Sequence, residues 1–226
     1  MGQQPNTAER PLRADARDNR NRILAAAAEV FVEQGPGAPL EDISRRAGTG
    51  IATLYRRFPD RNALTRAVAL DALQRTADEA RLARDEEPTA FAALVRYLHR
   101  VLDIRIGAVF PVLLNEIPFD DAEIAAVRDG GVAVMQGLVA TAQEDGDLRD
   151  DITHADIGML LVRLSRPLPG PMSRDLAEQL AHRHLDLIID GLRTAASARR
   201  PDALRGPALT FGDLRSMGGD QAPAAD

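Results

Sequence analysis

Residues 40 to 58 read "LEDISRRAGTGIATLYRRF", two short apolar-periodic stretches set apart by Gly-Thr-Gly. In the first, Leu40, Ile43 and Ala47 share one helical face. Pro39 sits where a first-turn proline is tolerated, and Glu41 and Asp42 fall at the positive end of the helix dipole. Gly48 and Gly50 can take up positive backbone dihedrals at low cost, so the chain is expected to turn sharply before "IATLYRRF" begins another short helix, which Pro59 ends.

The flanks extend the pattern. From Arg17 to about Gln34, apolar Ile23, Leu24, Ala27, Val30 and Phe31 follow the spacing of an amphipathic helix, and "GPGAP" breaks it. After Pro59, Asp60 is placed to cap a long helix with Leu64, Val68 and Leu73 on one side. Two short helices joined by a Gly-containing turn form a helix-turn-helix, whose second helix can lie in the major groove of B-DNA.

Charge supports that reading once it is divided. The chain of 226 residues has formal net charge -6, and all 28 of its basic residues are arginine. Residues 1 to 66 hold 11 Arg against 8 acids, a balance of +3, while residues 67 to 226 hold 17 against 26, a balance of -9. The opening third is therefore the part suited to a polyanion.

At "RILAAAAEVFVEQG" and "TLYRRFPDRNAL" the sequence resembles the TetR family of bacterial transcriptional regulators, over about residues 20 to 67 without a gap. The resemblance implies a three-helix DNA-binding module followed by a larger helical domain that dimerises and binds a small effector. Tyr55 matches the family tyrosine whose hydroxyl meets a backbone phosphate, and Arg61 matches a basic position that contacts phosphate. Departures are Pro39 and Gly50, where Thr or Ser is common, and Arg57, where His or Tyr is common.

Position on the helices assigns the other DNA-facing residues. Ile51, Ala52 and Thr53 open the recognition helix and should approach the groove most closely, and Arg56 is placed for a paired contact to guanine. Arg57, Arg45 and Arg46 are phosphate candidates, while Leu54 and Phe58 are expected in the core. Residues 1 to 16 are expected to form a flexible arm, with Arg10, Arg13, Arg17 and Arg20 available to a minor groove.

The expected organisation is all-α: a module at 17–66, a helical effector and dimerisation domain at 67–198, and a disordered tail at 199–226 rich in Gly, Pro and Ala. Further helices are expected at about 88–105, 107–116, 119–145, 153–166 and 172–198. Pocket candidates are Phe91, Tyr97, Phe110, Phe119, Met135 and Met159 as apolar walls, with Arg105, Asn115 and Gln136 as polar anchors. Apolar stripes run through Ile157, Leu160, Leu161 and Leu164, then through Leu176, Leu180, Leu187, Ile188 and Leu192. In the family the last two helices form a four-helix dimer interface.

No cofactor or metal is expected. Cys is absent, and Gly-x-Ser-x-Gly and Gly-Lys-Ser/Thr signatures are missing. His99 with Asp103 and His182 with Asp186 stand at helical i, i+4 spacing, but that spacing arises often by chance and no third ligand is indicated. The opening residues contain no apolar signal region and no window is apolar enough to span a bilayer, so the cytoplasm is the expected compartment. The expected function is a homodimeric, non-enzymatic DNA-binding regulator, most simply a repressor on a palindromic operator released by a small molecule. The alternative is a helical small-molecule-binding protein or enzyme with a structural helix-turn-helix.

Overall fold

The computed structural model describes residues 9–113, 121–166 and 173–194. Among them every regular element is an α-helix: α1 Glu9–Gln34, α2 Leu40–Arg46, α3 Ile51–Arg57, α4 Arg61–Glu86, α5 Ala90–Ile104, α6 Ile106–Leu113, α7 Ala122–Glu144, α8 His154–Leu164 and α9 Arg174–Leu192. Among the described residues two compact units are formed: 9–73 with 108–113 and 121–125, and 74–107 with 126–166 and 173–194. The boundary expected at 66/67 falls inside α4, which runs unbroken across it.

The first unit is built around α1 to α3. Ile23, Leu24, Ala27, Val30 and Phe31 of α1 are all buried, together with Leu40, Ile43, Leu54, Phe58, Leu64 and Val68. Burying one such large aliphatic side chain stabilises by about 1.5–3 kcal/mol, so this shared core holds helices too short to persist alone. α1 begins at Glu9, well ahead of the expected start at Arg17, so Arg10 and Arg13 belong to a helix and not to a flexible arm. Pro11 does not prevent this, because the N–H groups of a first helical turn have no intrahelical partner to lose.

The turn between α2 and α3 has a defined hydrogen-bond pattern. Gly48 donates to the Arg45 carbonyl and Thr49 to the Ser44 carbonyl, a Schellman arrangement that satisfies the last carbonyls of α2. Gly48 has φ +62, the left-handed conformation this closure requires. Phe58 is extended at φ -131, as a residue before proline prefers, and this stops α3. Asp60 Oδ1 accepts from the Ala63 N–H at 2.7 Å and caps α4, as its position suggested.

In the second unit α5, α8 and α9 pack on one another. Leu94, Leu98 and Val101 of α5 share a core with Leu138 and Val139 of α7, Ile157 and Leu161 of α8, and Leu185, Ile189 and Leu192 of α9. Thr89 caps α5 through the Ala92 N–H, and Thr153 with Asp156 forms a reciprocal capping box on α8. Gly107 is required where α6 meets α8, since a Cβ there would lie 2.9 Å from the Leu161 carbonyl oxygen.

α9 is shorter than the expected 172–198. Its chain leaves the helix at Arg193, whose backbone pairs with Leu148, while Thr194 N–H donates to Asp147. The Arg193 guanidinium stands 4.4 Å above the Phe91 ring. These tertiary contacts replace the helical hydrogen bonds that further turns would have made. The expected tail at 199–226 lies outside the described residues.

Candidate nucleic-acid interface

α3 has two distinct sides. Leu54 and Phe58 are fully or nearly buried, and the helix packs on α2. Ala52, Tyr55 and Arg56 are exposed at i, i+3 and i+4, which places them on one outward face. Tyr55 retains 47% of its surface, unusual for a large ring beside a formed core. Ile51 and Thr53 are half-buried at the rim, and Arg57 is exposed. Arg56 Nη2 lies 3.5 Å from Thr53 Oγ1, a contact at the long limit of hydrogen bonding that leaves the guanidinium free to extend.

The remaining arginines divide into outward and inward groups. Arg45 forms a pair with Asp42 at 2.8 Å but is 76% exposed, so the pair is solvated and readily exchanged for another anion. Arg46 reaches back to α1, 2.7 Å from Glu33 and 3.5 Å from Glu29, and ties α2 to α1. Arg61 donates through Nη1 to the carbonyls of Pro36 at 2.8 Å and Ala38 at 2.6 Å. The sequence assigned Arg46 and Arg61 to phosphate; in the structure both are held by other parts of the module.

The pocket candidates do not converge on one cavity. Phe91, Tyr97 and Met135 are packed in the second unit's core, where burial pushes the Tyr97 phenol well above its ordinary range. Met159 is half-buried, and Gln136 is exposed with its amide 3.2 Å from His154 Nε2. Burial lowers the pKa of His154. Arg105 is the left-handed C-cap of α5 at φ 60, where it makes the reversal into α6. Phe110 lies in α6 with its side chain outside the description, and Asn115 and Phe119 are outside the described residues.

A groove of about 550 Å³ does open in the second unit, lined by Arg84, Glu87, Thr89, Val134, Leu138 and Thr141 among others, and none of the candidates is in its wall. Phe91, Tyr97 and Met135, apolar by spacing, lie in the interior. Spacing could not distinguish a side chain that fills a core from one that borders a void. Among the described residues no group of three or more His, Cys, Asp or Glu is arranged to hold a metal ion.

Comparison with known proteins decides the lineage. The family model "Bacterial regulatory proteins, tetR family" matches residues 23–68, the unit that carries α3, and "Transcriptional regulator SbtR-like, C-terminal domain" matches residues 87–194. The chain belongs to the TetR family. It is 27% identical over 197 residues to the HTH-type transcriptional regulator UidR of Escherichia coli K12, covering 82% of this chain and 98% of UidR. The crystal structure of the TetR regulator SCO0520 from Streptomyces coelicolor superposes with TM-score 0.57 at 31% identity, covering 78% of this chain and 99% of that one. LfrR of Mycobacterium smegmatis, solved in complex with proflavine, superposes with TM-score 0.53 at 25% identity over 75% of this chain and 95% of its own.

TetR membership makes the chain a transcriptional regulator of a family whose members generally bind DNA and carry a helical C-terminal ligand-binding domain. No helix among the described residues is long and apolar enough to cross a membrane.

Proposed function

We propose that this TetR-family regulator binds an inverted-repeat operator as a homodimer and represses transcription until a small molecule releases it. The observation that carries the reading is the outward face of α3, with Ala52, Tyr55 and Arg56 exposed over a buried Leu54 and Phe58. Small Ala52 permits close approach to base edges, Arg56 offers two parallel donors to guanine, and Tyr55 offers a hydroxyl to phosphate.

Dimerisation is supported by α9, where Leu176 and Leu187 stay 46% and 62% exposed although the helix buries Leu185 and Ile189 on its other side. Two copies of α3 related by a two-fold axis and separated by roughly 34 Å would meet successive major grooves. Repression and effector release are supported by LfrR, named a transcriptional repressor and solved with proflavine. Release requires the effector to bind the two conformers unequally. The compartment follows from the target: DNA in the bacterial cytoplasm.

The test is selection of bound duplexes from fragmented genomic DNA by the purified chain at two salt concentrations. An inverted repeat that remains enriched at the higher salt is expected. Binding that disappears with salt and enriches nothing would reduce the interaction to non-specific phosphate attraction and would favour a small-molecule carrier.

A further inference from the structure

His99 on α5 and His182 on α9 meet edge to edge through their Nδ1 atoms, which are 2.8 Å apart, with ring centroids separated by 5.1 Å and planes 12° from parallel. His182 Nε2 lies 3.0 Å from Asp103 Oδ1, and His99 Nε2 lies 3.1 Å from Asp186 Oδ1. The carboxylates are thus exchanged: each imidazole is held by the aspartate of the opposite helix, not by the one four residues along its own.

Hydrogen-bond chemistry fixes the proton count. An ionised carboxylate only accepts, so each Nε2 facing one must carry hydrogen. Two bare Nδ1 atoms at 2.8 Å would oppose their lone pairs, and two Nδ1–H groups would clash. A contact of that length needs one donor and one acceptor. The four ring nitrogens therefore share three hydrogens, one imidazole being neutral and the other cationic.

We propose that His99 and His182 form a one-proton binding site that clasps α5 to α9. The resulting single positive charge lies between Asp103 and Asp186. The other charged groups around it are Arg100, which is 3.2 Å from Asp103 and 3.8 Å from Glu79 of α4, and Asp175, Glu178 and Arg183, which border the open side of α9 next to His182. α8, also packed on this pair of helices, contributes apolar Ile157 and Leu161 to the adjoining core. The described residues offer no third ligand for a metal ion, and the short separation suits a proton.

Removing the shared proton leaves two opposed lone pairs and adding another leaves two opposed N–H groups, so the clasp weakens on either side of the condition in which the pair holds one. This site is independent of the DNA-binding reading.

The test is a double-mutant cycle on the full chain with His99→Ala, His182→Ala and the pair, unfolded in urea between about pH 5 and 8, with and without EDTA. The expected coupling peaks within that range, declines on both sides and is indifferent to EDTA. Coupling that is flat or monotonic in pH overturns the proposal, and so does coupling that EDTA abolishes and zinc restores, which would make the pair a metal site. Nitrogen-15 spectra of histidine-labelled wild-type chain provide a check that needs no variant. Scalar coupling between the two Nδ1 nuclei is expected at the maximum, and its absence there refutes the shared proton.

Discussion

Arg66 and Asp121 are joined by a two-pronged ion pair, Nε to Oδ2 at 2.6 Å and Nη2 to Oδ1 at 3.0 Å, across 55 residues of sequence. Arg66 Nη2 also reaches Glu123 at 2.7 Å. Asp121 Oδ1 accepts in addition from the backbone N–H groups of Glu123 and Ile124, so the same carboxylate caps α7 and grips α4. The Arg66 hydrogen bonds, followed by the Ile124 N–H, hold its pKa down at about 2.

The pair should make an identifiable contribution to acid sensitivity. Because the folded pKa of Asp121 is depressed, its stabilisation is present above the unfolded value of about 4 and is lost as pH falls towards 2. Asp121→Asn retains a capping oxygen but no charge, so its stability deficit relative to wild type should be full at neutral pH and should close between about pH 4 and 2. Urea unfolding along that pH range measures it, and a deficit constant in pH would show that the loss does not come from the carboxylate charge.

Arg61 should act on the shape of the module more than on DNA directly. Its Nη1 holds the Pro36 and Ala38 carbonyls, so Arg61→Ala should destabilise the chain by about 1–2 kcal/mol. DNA affinity should drop for all sequences alike, with the salt dependence nearly unchanged. If stability is intact and the slope of log affinity against log salt falls by about one charge, Arg61 is a phosphate contact after all.

Arg56 and Tyr55 should separate base reading from phosphate binding. Arg56→Ala is expected to weaken specific binding by about 1–3 kcal/mol and to relax preference at one position in each half-site. Tyr55→Phe should weaken binding to every sequence by a similar factor. Competition binding against a panel of single-base operator variants distinguishes these, and an Arg56 variant with unaltered preference would exclude it from readout.

What the sequence made legible depended on how local the determinants are. The inward Leu54 and Phe58 and the outward Ala52, Tyr55 and Arg56 follow from the periodicity of a seven-residue helix between a glycine turn and a proline. Asp60 as a cap needed only the three residues after it. The intramolecular partners of Arg46 and Arg61 were not legible, because Glu33 and the carbonyls of Pro36 and Ala38 are on α1 and the turn after it. The His99 and His182 pairings were similarly hidden, since i, i+4 spacing suggested partners within each helix and packing supplied partners between them.

α9 shows the same limit most plainly and yields the last prediction. It is apolar on more than one side, so periodicity selected Leu176, Leu180, Leu187, Ile188 and Leu192 as one stripe, whereas the chain's own core takes Leu185, Ile189 and Leu192. Leu187, 62% exposed, has little to lose within the monomer. Leu187→Glu should therefore leave helicity and the monomer's fold intact, while a charge placed in an apolar dimer contact would be left without water or partner. Sedimentation should show wild type as a dimer and the variant as a monomer at the same concentration, and operator affinity should fall steeply because one half-site alone would then be bound. A variant that stays dimeric with unchanged operator affinity would place the dimer contact on another surface.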